Sequence, residues 1–474
     1  MLTQVGQFRR LCSRRALAAL IFICVALALN GCGGSSSSSG QSQSVRSTAK
    51  QYLEQFYPLW FTYYQSQYVG TNQLAGPIRI SPLYQIVVAI NDDTVYASTF
   101  VDLSTEPLIV TIPSTTTTYS ILTLDPFGNV FESAIPAQTA GTYGLTPPGY
   151  TGTLPNGVTP ISMPLDFTVL ILRIDKFSAS GQDQTSEANA FRASLLCQPL
   201  SDYLTNPAGG AALIVPEVLT SVPFKTAADT LLTVEPITFL QQLQTAVVSS
   251  NTPPLSADQQ ALSDRFNKLF GGGNFGSNTG REAQFIAGAQ AGYQAILNDY
   301  LSATGTTNWI HFTNIGNWGN NYLDRSAISE FLQFGNDIDT AAYYHTFKDG
   351  TGAALDGSVA DYVLTFLAGQ IPQAKRFWSV TAYTPNSIEL IPNSANKWVV
   401  ASYTPGLVTN PDGSITIHLA QNLPSGVPVA NWLPTRNGPF NIMLRVYGPE
   451  GSTADNTYVP PAVIKLLGGS GGAG

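Results

Sequence analysis

Two hydrophobic periods alternate along the chain. Between residues 47 and 68, Tyr52, Phe56, Leu59, Trp60, Tyr63 and Tyr64 recur at three- and four-residue intervals, the spacing of one wide helical face. Pro58 falls inside that pattern, so a kink or break is expected there, because proline has no N–H to give to the fourth residue back. From about residue 78 to 177 the period drops to two. Residues 96–101, 108–112, 119–124, 142–145, 157–163 and 168–174 are short runs rich in Val, Ile, Thr and Tyr, punctuated by Pro147-Pro148-Gly149 and Leu154-Pro155-Asn156-Gly157. Many short strands without alternating helices predict an antiparallel sandwich or barrel.

The helical period returns in the middle third. Phe239, Leu240, Leu243 and Val247 share a face. Ser256-Ala257-Asp258-Gln259 and Thr279-Gly280-Arg281-Glu282 read as capping boxes, the first ahead of Leu262 and Phe266, the second ahead of Phe285, Ala289 and Tyr293. The glycine-rich residues 271–276 between them lack the Gly-Lys-Ser/Thr of a phosphate cradle and read as a connector. Near Trp309 the short-strand pattern resumes, with strands expected at 362–367, 376–384, 397–402, 414–419 and 440–447 and a hairpin turn at Asn410-Pro411-Asp412-Gly413. The expected fold is therefore mainly β with a helical insert: two antiparallel β-sandwich, jelly-roll-like modules joined by a small helical layer.

The N-terminus reads as an address. Arg9, Arg10, Arg14 and Arg15 precede an apolar run over residues 16–29, too short to span a bilayer. It ends in Leu29-Asn30-Gly31-Cys32, which resembles a bacterial lipobox. That resemblance implies cleavage before Cys32, acylation of its thiol and amino group, and a lipid anchor in the bacterial cell envelope. The divisions expected are a signal peptide (1–31), a Ser/Gly-rich tether (32–46), a β module with its leading helix (47–180), a helical connector (181–305), a second β module (306–467) and a tail (468–474).

Composition agrees with an extracytoplasmic β protein. Charged residues make up 11% of the 474, less than half the usual ~25%. Net charge is −8, and the first 31 residues hold four Arg and no acid. Such a chain has no footprint for nucleic acid. Cys12 and Cys24 fall in the signal and Cys32 at the lipobox, so Cys197 remains alone, in a stretch (191–204) that reads as a helix, and no disulfide can form within the mature chain.

Motifs at both ends resemble one family. Asn91-Asp92-Asp93-Thr94-Val95-Tyr96, Asp125, Asn129-Val130-Phe131, Gly141-Thr142-Tyr143 and Pro148-Gly149-Tyr150 are similar to the N-terminal module of the DUF1254/DUF1214 family. Phe377-Trp378-Ser379-Val380-Thr381, Asn431-Trp432-Leu433-Pro434 and Gly438-Pro439-Phe440-Asn441 resemble its C-terminal module. The resemblance implies a sandwich at each end of the chain and brings no established activity.

The chemistry is carried by few residues. Asp92, Asp93 and Asp125, with Asp102 as a further member, are the candidate catalytic carboxylates, for general acid/base work. Asp92 and Asp93 are adjacent and point to opposite faces of an extended segment. The competing reading is that these acids and Asn91 satisfy backbone groups at strand ends. Asn91, Tyr96, Asn129, Arg325, Trp378 and Trp432 are the candidate ligand-binding residues, the tryptophans as flat platforms for a glycan. Buried Arg325, Arg376 and Arg445 call for carboxylates, with Asp324, Glu389 or an acid of the first module as candidates. His311, His345 and His418 show no ligand spacing, so no zinc or iron held by histidine and no cofactor are expected; the carboxylate cluster leaves open a hard cation bound through oxygens. Two functions stand: an envelope lipoprotein that binds or scaffolds a polar or glycan-like ligand, or an envelope hydrolase or lyase with carboxylates at the module interface. The expected partners are the lipid bilayer, through Cys32, and a glycan or small polar molecule, with a homo-oligomer left open.

Overall fold

The computed structural model describes residues 38–132, 134–216 and 223–466, with side chains from residue 45 onward. The signal, Cys32 and the tail at 468–474 lie outside the described residues. Helix α1 (Ser38–Val69) already occupies much of the segment expected to be tether.

The first module is built from β1 (Ala75–Pro77), β2 (Thr94–Asp102), β3 (Leu108–Ile112), β4 (Tyr119–Leu124), β5 (Val130–Phe131), β6 (Gly141–Thr146), β7 (Val158–Ser162), β8 (Phe167–Asp175), β9 (Leu196–Pro199) and β10 (Leu213–Val215). These form a six-stranded sheet in the order β10-β1-β2-β8-β4-β5 and a four-stranded sheet in the order β7-β6-β3-β9. The sheets share one core, in which Ala97, Leu170 and Leu172 of the first meet Val110, Leu145 and Cys197 of the second. Cys197 therefore lies on a strand, paired with Val110, and not on the helix expected over 191–204. Only α2 (Thr185–Ser194) and α3 (Leu200–Thr205) are helical there. Residues assigned to the connector thus complete the first sandwich.

The helical layer comprises α4 (Phe224–Val234), α5 (Pro236–Val247), α6 (Ala257–Phe270), α7 (Thr279–Ser302) and α8 (Tyr322–Phe331). They surround α1, whose Tyr52 stacks on Phe266 at 3.7 Å and whose Tyr57 stacks on Phe239 at 5.9 Å. Gly288 of α7 lets the two helices touch, since a Cβ there would lie 2.6 Å from the Arg46 carbonyl oxygen. The Ser256/Gln259 capping box forms as expected. The cap of α7 falls one residue earlier than expected, on Asn278, whose side chain accepts the Arg281 N–H.

Helix α1 runs unbroken through Pro58. The helical partner that Pro58 cannot supply is a donor to the Glu54 carbonyl. Ser326 of α8 supplies it instead, at 2.7 Å, and Arg325 gives its Nη2 to the neighbouring Gln55 carbonyl. The expected break is prevented by tertiary donors.

The second module uses β11 (Ala341–Thr346), β12 (Tyr362–Phe366), β13 (Ala374–Tyr383), β14 (Val399–Ala401), β15 (Ile415–Ala420), β16 (Trp432–Pro434), β17 (Asn441–Pro449) and β18 (Ile464–Lys465). Their orders are β11-β17-β13-β14 and β16-β15-β12-β18. Both modules are mostly antiparallel, but β1–β10, β6–β7 and β15–β16 pair in parallel, a departure from the expected pure antiparallel sheets. None of the sheets closes into a barrel, and helix (30%) slightly exceeds strand (26%), so the helical layer is a third body of the fold.

Alternation along β8 and β17 positions everything that follows. Leu170, Leu172 and Ile174 enter the first core, while Ile171, Arg173 and Asp175 turn outward; Ile442, Leu444 and Val446 enter the second core, while Met443, Arg445 and Tyr447 turn outward. The two outward faces look toward one another across α1 and the segment 84–93.

Candidate functional site

Residues 89–93 stitch the modules together. The Ala89 N–H donates to Ile388 O at 3.2 Å, and the Tyr383 hydroxyl donates to Ile90 O at 2.7 Å. Arg445 gives its Nη2 to the Ala89 carbonyl. Ala89, Ile388 and Phe334 all hold positive φ (56°, 52° and 56°), a conformation that costs side-chain-bearing residues energy and persists only where the surroundings impose it.

Asn91 organises the polar centre. Its Oδ1 accepts the Asp93 N–H at 3.3 Å and the Tyr96 hydroxyl at 2.8 Å, which fixes the amide so that Nδ2 donates to the Tyr447 hydroxyl. Asp93 is fully buried and accepts from Tyr403 at 2.6 Å and Ser379 at 2.7 Å. Burial pushes its carboxyl up, opposed by those two hydroxyls and by Arg445. Asp92 faces the other way and pairs with Lys176 at 2.8 Å. Asp175 takes Arg376 of the second module, so this half-buried arginine finds its carboxylate across the interface, an acid of the first module as the sequence suggests.

Beside this junction lies a cavity of about 360 Å³. Its walls come from the end of α1, residues 84–91, the outer faces of β2 and β8, residues 332–335, and β11 and β17. Phe100, Val169, Ile171 and Phe334 make much of it apolar. Its charged groups are Arg173 and Arg445, one from each module, and its neutral polar side chains include Asn91, Gln65, Ser98, Thr99 and Gln333. Arg173 donates Nη1 to Asn336 Oδ1 at 2.6 Å and Nη2 to Phe334 O at 3.0 Å. Tyr343 stands opposite Arg445 in the β11–β17 register, and its hydroxyl accepts the Asn336 N–H at 3.0 Å. Arg445 is 1% exposed and its Nη1 has no acceptor among the described residues. Burial alone would lower its pKa, but Tyr383, Tyr447 and Asp93 outweigh that and hold it up.

The predicted site residues are only partly gathered here. Asn91 and Tyr96 line the cavity. The three candidate catalytic acids do not meet: Asp125 closes a turn by accepting the Phe127 and Asn129 N–H groups, both at 2.9 Å, and Asn129 Nδ2 at 2.7 Å. Asp102 likewise caps Ser104. Asp125 and Asn129 are therefore a turn unit. Arg325 bonds the Gln55 carbonyl beside the Pro58 gap and stacks on Phe127 at 4.1 Å. Burial, only partly offset by Asp125 and Tyr322, brings its pKa down to about 10. Trp378 lies in the second sandwich core, and Trp432, also buried, gives its indole N–H to Ala420 O at 2.9 Å. Neither lines the inter-module cavity: alternation turns Trp378 inward, where its edge borders a separate pocket beside Ser402 and Tyr403, and turns its neighbour Phe377 out against Tyr403 and Tyr447.

Sequence reasoning missed Arg173, Tyr343, Tyr447, Gln65 and Gln333, and it read Arg445 as a residue awaiting a carboxylate. The usable signal was a charged residue at an outward position of an otherwise apolar strand, as in Leu172-Arg173-Ile174 and Leu444-Arg445-Val446.

Comparison with known proteins bears on family and fold. The DUF1254 family, described as a protein of unknown function, matches residues 71–199, and the DUF1214 family, described in the same words, matches residues 340–451. No curated protein matches the chain. Among solved structures, a crystal structure of a Vibrio parahaemolyticus protein, a structural-genomics target, aligns over 89% of this chain and 100% of its own, at 20% identity and a TM-score of 0.55. A protein from Burkholderia cenocepacia described as uncharacterised aligns over 90% of this chain and 96% of its own, at 15% identity and a TM-score of 0.41. The first likeness concerns the fold alone.

Proposed function

Since the chain belongs to the family that joins a DUF1254 module to a DUF1214 module, we propose that it is a cell-envelope lipoprotein that binds a small organic molecule between those modules. The observation that carries this reading is the cavity itself. About 360 Å³ of space lies within the range of small-molecule sites, mostly apolar with a few convergent polar groups. Its lining comes from both modules and from α1, so the modules and the helical layer together frame one site.

The alternative of a hydrolase or lyase has its acids in the wrong place. Asp93 and Asp175 do lie at the module interface, but both are committed, to Ser379 and Tyr403 and to Arg376, and neither lines the cavity. Binding is the reading the geometry supports.

The neutral apolar fluorophore N-phenylnaphthylamine tests it. Its emission should rise with the wild-type protein and return to background with Ile171→Trp, which fills the cavity from β8. No rise, or an equal rise with both proteins, overturns the proposal. The anchor has its own test: Cys32→Ser should move the protein from the membrane fraction to the soluble fraction, and continued membrane retention would refute the lipid attachment.

A further inference from the structure

We infer that the ligand of this cavity is a monoanion, a carboxylate on an apolar body, with the carboxylate read jointly by Arg173 of the first module and Arg445 of the second. The inference rests on the cavity being a binding site, as proposed above.

The sign of the wall comes first. Among the described residues, the ionic side chains lining the cavity are Arg173 and Arg445, and no carboxylate lines it. This is not the background of the chain, whose net charge is −8. Two buried guanidiniums are kept charged at any ordinary pH. A buried charge is costly unless paired, yet the direct bonds of Arg173 go to an amide and a carbonyl, and that of Arg445 to a carbonyl. Asp93 acts on Arg445 through its charge but spends its oxygens on Tyr403 and Ser379. Two cations against that one acid leave an excess of one positive charge, which a single negative charge on the ligand balances.

Hydrogen-bonding capacity points the same way. The Tyr343 hydroxyl accepts from Asn336, and the Tyr447 hydroxyl accepts from Asn91. Each therefore keeps its own proton to donate. Arg445 Nη1, buried and without an acceptor among the described residues, adds a further donor to this cluster. A carboxylate has the acceptor oxygens and the planar shape that guanidinium and phenol donors match. Most of the remaining wall is apolar, with Phe100, Val169, Ile171 and Phe334 prominent and neutral Gln65, Ser98, Thr99 and Gln333 among its polar side chains, so the body of the ligand is largely apolar.

Displacement of N-phenylnaphthylamine by decanoate and by decanol, its neutral counterpart with the same tail, tests the inference on the wild-type protein and needs no variant to fold. Decanoate should displace the dye at concentrations about 10-fold or more below decanol, as expected for hydrogen bonds to a charged group. Arg445→Gln and Arg173→Gln should each shrink that preference while leaving decanol displacement in place. Equal displacement by the two probes overturns the anion reading and leaves the binding cavity standing. Failure of both probes to displace a bound dye overturns the anion reading as well. Failure of the dye itself to bind removes the cavity reading beneath it.

Discussion

The helical layer and the inter-module cavity both bury charge, and they treat it in opposite ways. In the helical layer Lys225 is 6% exposed and Glu330 is fully buried. Lys225 bonds Glu330 and, at 2.9 Å, Asp229; Glu330 also accepts from Tyr57, and Tyr293 spans Asp229 at 2.7 Å and Glu330 at 3.2 Å. In this cluster Lys225, Asp229 and Glu330 each end on a partner within the chain. At the cavity the two guanidiniums end on neutral acceptors, and part of their donor capacity is unused. A charge cluster closed on itself holds helices together. A cluster left open beside a cavity is available to something else.

The largest effect expected from that contrast is on stability. Lys225→Met leaves Asp229 and Glu330 facing one another without their cation, and should cost about 3–5 kcal/mol, the usual penalty for breaking a buried pair. Adding Glu330→Gln should recover part of that loss. Arg445→Met breaks no ion pair and should cost only about 1–2 kcal/mol, the scale of one or two hydrogen bonds. Urea unfolding of the three variants would measure this. If Arg445→Met proves as destabilising as Lys225→Met, both clusters are structural and the contrast fails.

His345 sharpens the comparison because it is a buried base that is closed while neutral. Asn441 donates its amide to Thr384 O at 2.8 Å, so its Oδ1 faces the ring and accepts from Nε2 at 2.7 Å. Nδ1 then accepts the Tyr300 hydroxyl at 2.7 Å. Burial, aided by Arg445 and opposed by Asn441, brings the ring down to about 3. The unfolded chain takes up this proton below about 6.5, and the folded chain refuses it until about 3. Stability is therefore lost as pH falls through that window, by about 3 kcal/mol at pH ~4.5. Urea unfolding at neutral pH and at pH ~4.5 should show a smaller loss for His345→Gln than for wild type. Identical losses would mean that other groups set the acid sensitivity.

Much of the fold was legible in the chain. The strands at Leu108–Ile112 and Tyr119–Leu124 have the ends that their Val/Ile/Thr/Tyr runs predict, because turn residues bound them on both sides. Strand β11 was not legible: Ala341–Thr346 is buried along its whole length, so it shows no alternation between polar and apolar positions. The same two-sided burial hid the site. Arg173 and Arg445 face a second body of the protein, and period-two reasoning assigns such positions to solvent. Pro58 failed as a break signal because its remedy, Ser326 and Arg325, lies over 260 residues away in sequence. The carboxylates misled for a related reason. Asp92, Asp93 and Asp125 are close in sequence, but each is held by a different partner: Lys176, Tyr403 with Ser379, and its own turn.

The smallest expected effect concerns a pair that is half-buried and not closed. Asp299 of α7 lies beside Asp324 of α8. Partial burial, then the Asp324 charge and a hydrogen bond to it, push the Asp299 carboxyl up to about 6. This acid holds its proton in the folded chain where the unfolded chain has released it. Its contribution is thus complete below about 4 and is lost as pH rises through about 6, opposite in sign to that of His345. Because the group is only half-buried, screening should keep the effect below about 1 kcal/mol. Asp299→Asn keeps a proton-bearing side chain against Asp324 at every pH. Made in the His345→Gln background, where the opposing slope is reduced, it should flatten the remaining fall in stability between pH ~4 and ~6. An unchanged slope would mean that the shared proton contributes nothing, and that charges in the open pair act independently.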